Sequence, residues 1–545
     1  MNVHNPSPRV LFAVAELAPW MKTGGLGEVA ATLPAALRAA GVDARILVPA
    51  YPGVRAALRA RRAIAKVAQP GGAFPPTQVL AGATAAGVPV YAVDCPALYA
   101  RSGNPYCDVR GRDWPDNHLR FGLLAKIAAR IALGLPGIEW APQLVHCNDW
   151  HTGLTPAYLH FAEAAQVRSV FTIHNIAFQG LFPREALGPL ALPARAFAMD
   201  GVEYHGKLSF MKAGIQYADA LTTVSPTHAR EIQSEELGFG LGGLLRHRAP
   251  RLSGILNGLD TGQWNPATDA HLAQRYDSAT LEAKAANKSA LQRRLKLAVD
   301  DEMPLLGVVS RLTPQKGLDL LIAAAREIMN LPAQLVVLGS GDHALERQFA
   351  AMARAHRGRC AAVIGFDEAL AHLIEAGADI VVMPSRYEPC GLNQMYSLRY
   401  GTPPVARATG GLADTVVDCN AATLAAGTAN GFVFAEATPQ ALLAALERAV
   451  STWICTARSS LRPERAGARA RLSPLLAGHP TGGGVPQYST TGIPVSENTQ
   501  FGEFVFRRGT PKVKSRQGRV QRAADRGRSG PTRMSCRYMV AWQRH

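Results

Sequence analysis

Lys22-Thr23-Gly24-Gly25-Leu26-Gly27-Glu28 sets a cation and three glycines ahead of a helical pattern. Such glycines let the backbone come close to a ligand, and the helix start adds unpaired N–H groups and a partial positive charge. With Lys22 beside them, an anionic group is the expected guest. Gly25-x-Gly27-x-x-Ala30 is only a loose dinucleotide fingerprint, because seven residues separate the preceding strand from Thr23. A Walker A loop would need Lys after the last glycine. The plain alternative is a structural glycine turn with a surface lysine. In the second half, Ser310-Arg311-Leu312-Thr313-Pro314-Gln315-Lys316-Gly317 follows a strand and opens a helix. Arg311 can grip phosphate oxygens as a fork and Lys316 can act as a point charge, so a diphosphate suits the pair. Two solvated basic residues are the alternative there.

Three further loops offer polar groups. His146-Cys147-Asn148-Asp149-Trp150-His151 holds four possible metal ligands. Strand alternation sends His146 and Cys147 to opposite faces, and no second pair stands at zinc spacing, so no metal is expected. Asp149 either caps the next helix or accepts hydrogen bonds from sugar hydroxyls. His174-Asn175 ends another strand, as a ligand group, a cap or a core histidine. In Ser385-Arg386-Tyr387-Glu388-Pro389-Cys390-Gly391, Pro389 fixes the backbone and Gly391 frees it before a helix. Glu388 is either a favourable charge at that helix start or a holder of hydroxyls. Cys390 has no oriented histidine nearby in sequence that would make it a nucleophile.

The elements that must carry these loops repeat one grammar: short β-branched run, glycine-rich loop, helix. Expected strands are Val10–Ala15, Asp43–Pro49, Val88–Asp94, Leu144–Cys147, Ser169–Thr172 and Ala220–Val224, then Leu305–Val309, Gln334–Leu338, Ala361–Ile364, Ile380–Met383 and Pro404–Ala406. Helices such as 26–40, 120–133, 317–329 and 391–400 fall between them. The pattern predicts an α/β protein of two Rossmann-like domains facing a cleft, residues 1–260 and 261–450, with parallel sheets covered on both faces. Chemistry is expected beyond the carboxyl ends of the strands.

The net charge of +17 is unevenly spread. Residues 451–545 hold 17 Lys and Arg against 4 Asp and Glu, leaving the first 450 with 41 basic and 37 acidic residues. The basic character therefore belongs to a tail, rich in Arg, Gly and Pro, that is expected to be disordered. Its aromatics form no nucleic-acid motif, so no nucleic-acid partner is expected. No run of ~18 apolar residues occurs, and the short Val10–Ala15 run is too brief for a signal peptide, so neither a membrane nor export is expected. Eight cysteines without close pairing fit a reducing cytoplasm better than a disulfide scaffold.

Taken in order, Lys22-Thr23-Gly24-Gly25-Leu26, Asn148-Asp149-Trp150-His151, His174-Asn175, Asn257-Gly258-Leu259-Asp260, Arg311 to Gly317, Glu388-Pro389-Cys390-Gly391-Leu392 and Thr409-Gly410-Gly411-Leu412-Ala413-Asp414-Thr415 resemble the bacterial glycogen synthase and plant starch synthase family. The likeness runs from about Arg9 to Val450. It implies the GT-B fold and a glycosyltransferase that moves glucose from ADP-glucose to the non-reducing end of an α-1,4-glucan such as glycogen, with retention and with no metal or other cofactor. By motif, Glu388, His174 and Asp149 would be the catalytic set. Lys22, Gly24, Gly25, Arg311 and Lys316 would hold the donor diphosphate; Asn257, Cys390 and Gly391 would line the glucose and acceptor site. Tyr396 stands where wider GT-B relatives often carry a second Glu.

ADP is already a good leaving group, so the transition state chiefly needs positive charge on the departing diphosphate in a dry cleft. Same-face attack and a short-lived adduct on Glu388 both remain open. So do UDP-glucose as donor and a glucan-binding protein without activity. After Val450 the resemblance fails. Family members close with helices that cross back onto the first domain, and no such segment is evident here. A shift of reading frame or an assembly error near Val450 would produce that break, and lowered stability and turnover are expected from it.

Overall fold

The computed structural model describes residues 7–460. Apolar β-branched runs form its strands: Arg9–Ala13 (β1), Asp43–Pro49 (β2), Arg59–Val67 (β3), Thr77–Ala83 (β4), Pro89–Asp94 (β5), Leu144–Asn148 (β6), Arg168–Ile173 (β7), Leu181–Pro183 (β8), Glu203–Tyr204 (β9), Lys207–Ser209 (β10), Ala220–Thr223 (β11) and Leu252–Gly254 (β12). The second half adds Leu305–Val309 (β13), Gln334–Gly339 (β14), Cys360–Ile364 (β15), Ile380–Met383 (β16), Pro404–Arg407 (β17) and Phe432–Phe434 (β18). None of the expected strands misses its observed ends by more than two residues.

Strand order is β12-β11-β7-β6-β1-β2-β5-β4-β3 in the first sheet and β15-β14-β13-β16-β17-β18 in the second. The second sheet is parallel throughout. The first is mixed, which corrects the expectation of a purely parallel sheet: β4 runs antiparallel to both β3 and β5. The added edge was missed because Arg59-Ala60-Arg61-Arg62 is exposed and basic rather than apolar. Charge along an edge strand is a normal device against pairing with another chain. Strands β8, β10 and β9 form a small antiparallel sheet of their own.

Two large cores hold the sheets. Leu11, Phe12, Ile46, Val90, Phe121 and Phe171 are buried in the first. Leu306, Val308, Val337, Phe349, Leu442 and Leu446 are buried in the second. Each such side chain stabilises the fold by roughly 1.5–3 kcal/mol. A smaller cluster joins the halves: Val224 and Leu259 meet Trp264, Tyr276, Tyr396 and Tyr400.

The last described element corrects another expectation. The helix Pro439–Ser460 continues ten residues past Val450, where helical grammar was expected to stop. Its buried face runs through Leu442, Leu446 and Ala449, and Ile454 packs against the same core. Thr456, two residues further on, is buried as well. Composition averaged over the whole basic segment hid these turns. Residues 461–545, on which the expectations of disorder and of a shifted frame mainly rest, lie outside the described residues.

Candidate active site

Each sheet reverses strand order once, between β1 and β6 in the first and between β13 and β16 in the second. Crevices form at such switch points, outside the carboxyl ends of the strands. The loops after β1, β6 and β7 carry Lys22, Asp149 and His174, and those after β13 and β16 carry Arg311, Lys316, Glu388, Cys390 and Gly391. Topology thus gathers the predicted residues into two clusters.

In the first cluster the organiser is Glu16, a buried carboxylate to which the sequence reading gave no role. It accepts from Thr23 N at 2.7 Å and from Thr23 Oγ1 at 2.7 Å, and the Tyr106 hydroxyl donates to it as well. Glu16 therefore shapes the glycine loop. Gly24, before the helix Gly25–Ala39, has no atom within 4 Å of where a Cβ would stand, which leaves open space over the helix start. Lys22 Nζ lies 3.4 Å from Glu28 and 3.9 Å from Glu368, a residue of the other half.

Asp149 takes the capping role foreseen for it. Its Oδ1 accepts from Trp150 N at 2.9 Å, closing a short 3-10 turn. Its φ of 60° and ψ of 177° lie in a region that only glycine normally occupies, a strain of ~1–3 kcal/mol of the kind found at functional sites. Burial pushes its carboxyl up to about 8, against the pull of Trp150 N–H. At neutral pH the group is then largely protonated and can donate as well as accept. His174 Nε2 sits 3.0 Å from Asn148 Oδ1, and burial, with His146 adding to it, holds its imidazole well below the usual histidine range. A neutral His174 suits hydrogen bonding to hydroxyls.

In the second cluster Lys316 Nζ lies 2.6 Å from Glu388 Oε2, which also accepts from Ser385 Oγ at 2.9 Å. Gly317 makes this approach possible: its φ is 64°, and a Cβ would fall 1.9 Å from Pro384 O. Gly391, at φ 72°, turns the chain into the helix Asn393–Arg399. Arg311 is exposed and makes no side-chain hydrogen bond or ion pair among the described residues, so it is free to meet a ligand. Burial pushes the Cys390 thiol up to about 12, against a hydrogen bond from the backbone of Asn257, so it is no thiolate nucleophile.

The two clusters face each other. Leu392 reaches within 3.2 Å of the Cβ position of Gly25, Ser225 Oγ donates to Pro389 O at 2.7 Å, and Asn257 touches Cys390. Thr227 donates twice to Asp414, and Glu231 accepts from Thr409 Oγ1 and Gly410 N at 2.9 Å each. Among the described residues no group of three His, Cys, Asp or Glu is placed to hold a metal ion. Besides Glu16, sequence reasoning missed Tyr106 and Glu28. The place of Glu28 beside the glycine loop was a usable signal; the contact of Glu16 with Tyr106, 90 residues apart, was not.

The chain is similar to known proteins over most of its length. Residues 9–247 match the starch synthase catalytic domain, and residues 291–470 match glycosyl transferases group 1. The chain is 56% identical over 444 residues to glycogen synthase of Dechloromonas aromatica (strain RCB), covering 82% of this chain and 91% of that protein. It is 53% identical over 452 residues to glycogen synthase of Nitrosospira multiformis, covering 82% and 91%. The catalytic domain of starch synthase IV from Arabidopsis thaliana, solved bound to ADP and acarbose, superimposes with a TM-score of 0.78 at 30% identity. That likeness covers 92% of this chain and 99% of the other.

Proposed function

The chain belongs to the glycogen synthase and starch synthase family of GT-B glycosyltransferases and carries out glucosyl transfer in glycogen synthesis, and from that premise we propose that its donor is ADP-glucose and its acceptor the non-reducing end of an α-1,4-glucan. The observation that carries the reading is the 2.6 Å contact of Lys316 with Glu388, opposite the Lys22 loop. It sets a phosphate-binding cation beside a carboxylate suited to sugar hydroxyls, so that one substrate carrying both groups would span the pair.

In this reading Lys22, Arg311 and Lys316 take the diphosphate, with the open helix start at Gly24 and Gly25 adding backbone N–H groups. As the bond to the leaving phosphate lengthens, negative charge builds on the diphosphate, and these cations stabilise it most in a site closed to water. Glu388, His174 and Asp149 hold and orient the glucosyl group, and Asn257, Cys390 and Gly391 shape its pocket. Cys390 contributes shape and not a nucleophile. Retention follows if the acceptor hydroxyl attacks the face that the diphosphate leaves, the departing phosphate taking its proton.

A domain limit near residue 260 and a cytoplasmic location complete the proposal. Cys95, Cys107, Cys147, Cys360, Cys390 and Cys419 are free thiols, as a reducing compartment would leave them. No described helix is long and apolar enough to cross a membrane. The test is a donor comparison with glycogen as acceptor. Turnover with ADP-glucose well above that with UDP-glucose is expected, with the α-configuration kept in the product. Equal or greater turnover with UDP-glucose would overturn the donor assignment.

A further inference from the structure

Tyr396 lies on the helix Asn393–Arg399 of the second half, yet its hydroxyl donates to Glu28 Oε2 in the helix that follows the Lys22 loop of the first half. The other oxygen of Glu28 is the one 3.4 Å from Lys22 Nζ. The phenol ring is held in place: Trp264 stacks on it at 3.8 Å and 8°, and His372 stacks on the far face of Trp264 at 3.9 Å and 7°. His372 is fixed in turn by Asp269, 2.7 Å away, and the same carboxylate accepts from Tyr400 at 2.6 Å. A rigid aromatic stack thus ends in one hydroxyl, and that hydroxyl meets the counter-ion of Lys22.

The contact has a consequence for donor binding. Lys22 is already neutralised, by Glu28 and by Glu368, so a diphosphate must compete with carboxylates for it. A carboxylate tied on one oxygen cannot swing fully onto the ammonium. We propose that Tyr396 is a positioning residue: its hydroxyl tethers Glu28 so that Lys22 stays available to the donor diphosphate, and it makes that tether only when the two halves are together. Donor readiness at Lys22 is thereby coupled to domain closure. The inference rests on the reading of Lys22 as a diphosphate ligand.

The test is ADP binding by calorimetry on the full chain, with melting temperature followed in parallel. Tyr396→Phe keeps the ring and its stack on Trp264 but removes the tether. It is expected to weaken ADP about ten-fold, the scale of one charge-assisted contact, with little change in melting temperature. Adding Glu28→Gln to that variant removes the competing charge and is expected to restore most of the affinity, which a merely structural role for Tyr396 would not do. Unchanged ADP affinity in Tyr396→Phe, or no recovery in the double variant, would overturn the proposal. Lys22→Gln separates the two readings. If it binds ADP poorly while Tyr396→Phe binds normally, only the tether fails. If Lys22→Gln itself binds ADP as the parent does, the diphosphate role of Lys22 fails and the tether with it.

Discussion

Glu388 has two neighbours that make its removal informative. Lys316 and Ser385 both hold Oε2, so Glu388→Ala frees a half-buried lysine as well as deleting a carboxylate. On the proposed reading kcat falls severely, because the glucosyl group loses its anchor. ADP affinity holds or rises, since Lys316 is released to the diphosphate; calorimetry with ADP checks this, and weakened ADP binding would contradict it. Lys22→Gln should act the other way. Donor KM is expected to rise roughly ten- to a hundred-fold, the usual scale for one charge-assisted contact, with glucan affinity nearly unchanged. Asp149 supplies a pH test. Its carboxyl titrates near 8 in the folded protein against 3.8 as a free side chain, so the folded state holds the proton more tightly than the unfolded one. That contribution to stability is complete below about 4 and is lost as pH rises through 8. Asp149→Asn does not titrate, and its amide oxygen can still accept from Trp150 N. Its melting temperature should therefore gain on the parent's as pH rises from about 4 to about 8. A difference that stays constant with pH would show that Asp149 ionises as an ordinary carboxyl.

Which elements could be read in advance depended on what their residues face. Buried parallel strands such as Leu305–Val309 and Ile380–Met383 are apolar on both faces, and their expected bounds agree with those observed. The edge strand Arg59–Val67 faces solvent and carries charge, so nothing marked it as a strand. Expected helix 317–329 divides at Ala324 into Leu318–Ala323 and Ala325–Asn330, a break that no glycine or proline announces. Site loops were legible because glycine and proline punctuate them. The partners of those loops were not: Glu28 and Tyr396 stand 368 residues apart, and only the closed fold brings them together. Gly317 shows what such punctuation does. An alanine there must adopt φ 64° and avoid Pro384 O, so the turn has to shift and take Lys316 away from Glu388. Gly317→Ala should cost about 1–3 kcal/mol in stability and raise donor KM. A variant with unchanged KM would mean that Lys316 is positioned by something other than this turn.

At the scale of the whole molecule the question is what keeps the halves and the last helix in register. Beyond the small apolar cluster of Val224 and Leu259 with Trp264 and the tyrosines, cross-half contacts are polar and few-atom: Thr227 with Asp414, Glu231 with Thr409 and Gly410, Ser225 with Pro389. Contacts of this kind suit two bodies that part to exchange substrates and close again. The end of helix Pro439–Ser460 is anchored differently, and within the second half. Trp453 lies 4.6 Å from Lys288 Nζ, and Lys288 pairs at 2.8 Å with Asp379, whose carboxylate also accepts from Leu305 N at the start of β13. Ile454 packs against the second core and Thr456 is buried two residues beyond. Trp453, Ile454 and Thr456 thus belong physically to the second half, although they open the segment whose composition first looked foreign to the fold. Stopping the chain after Val450 should remove the aromatic cover from Lys288 and apolar contacts from the core. Stopping it after Ser460 keeps both. The shorter chain is therefore expected to melt several degrees below the longer one, because loss of one or two kcal/mol shifts the midpoint of a domain this size by a few degrees. Trp453→Ala in the longer chain should reproduce part of the loss. Equal melting temperatures for the two truncated chains would show that the helix end, though packed in place, adds no stability.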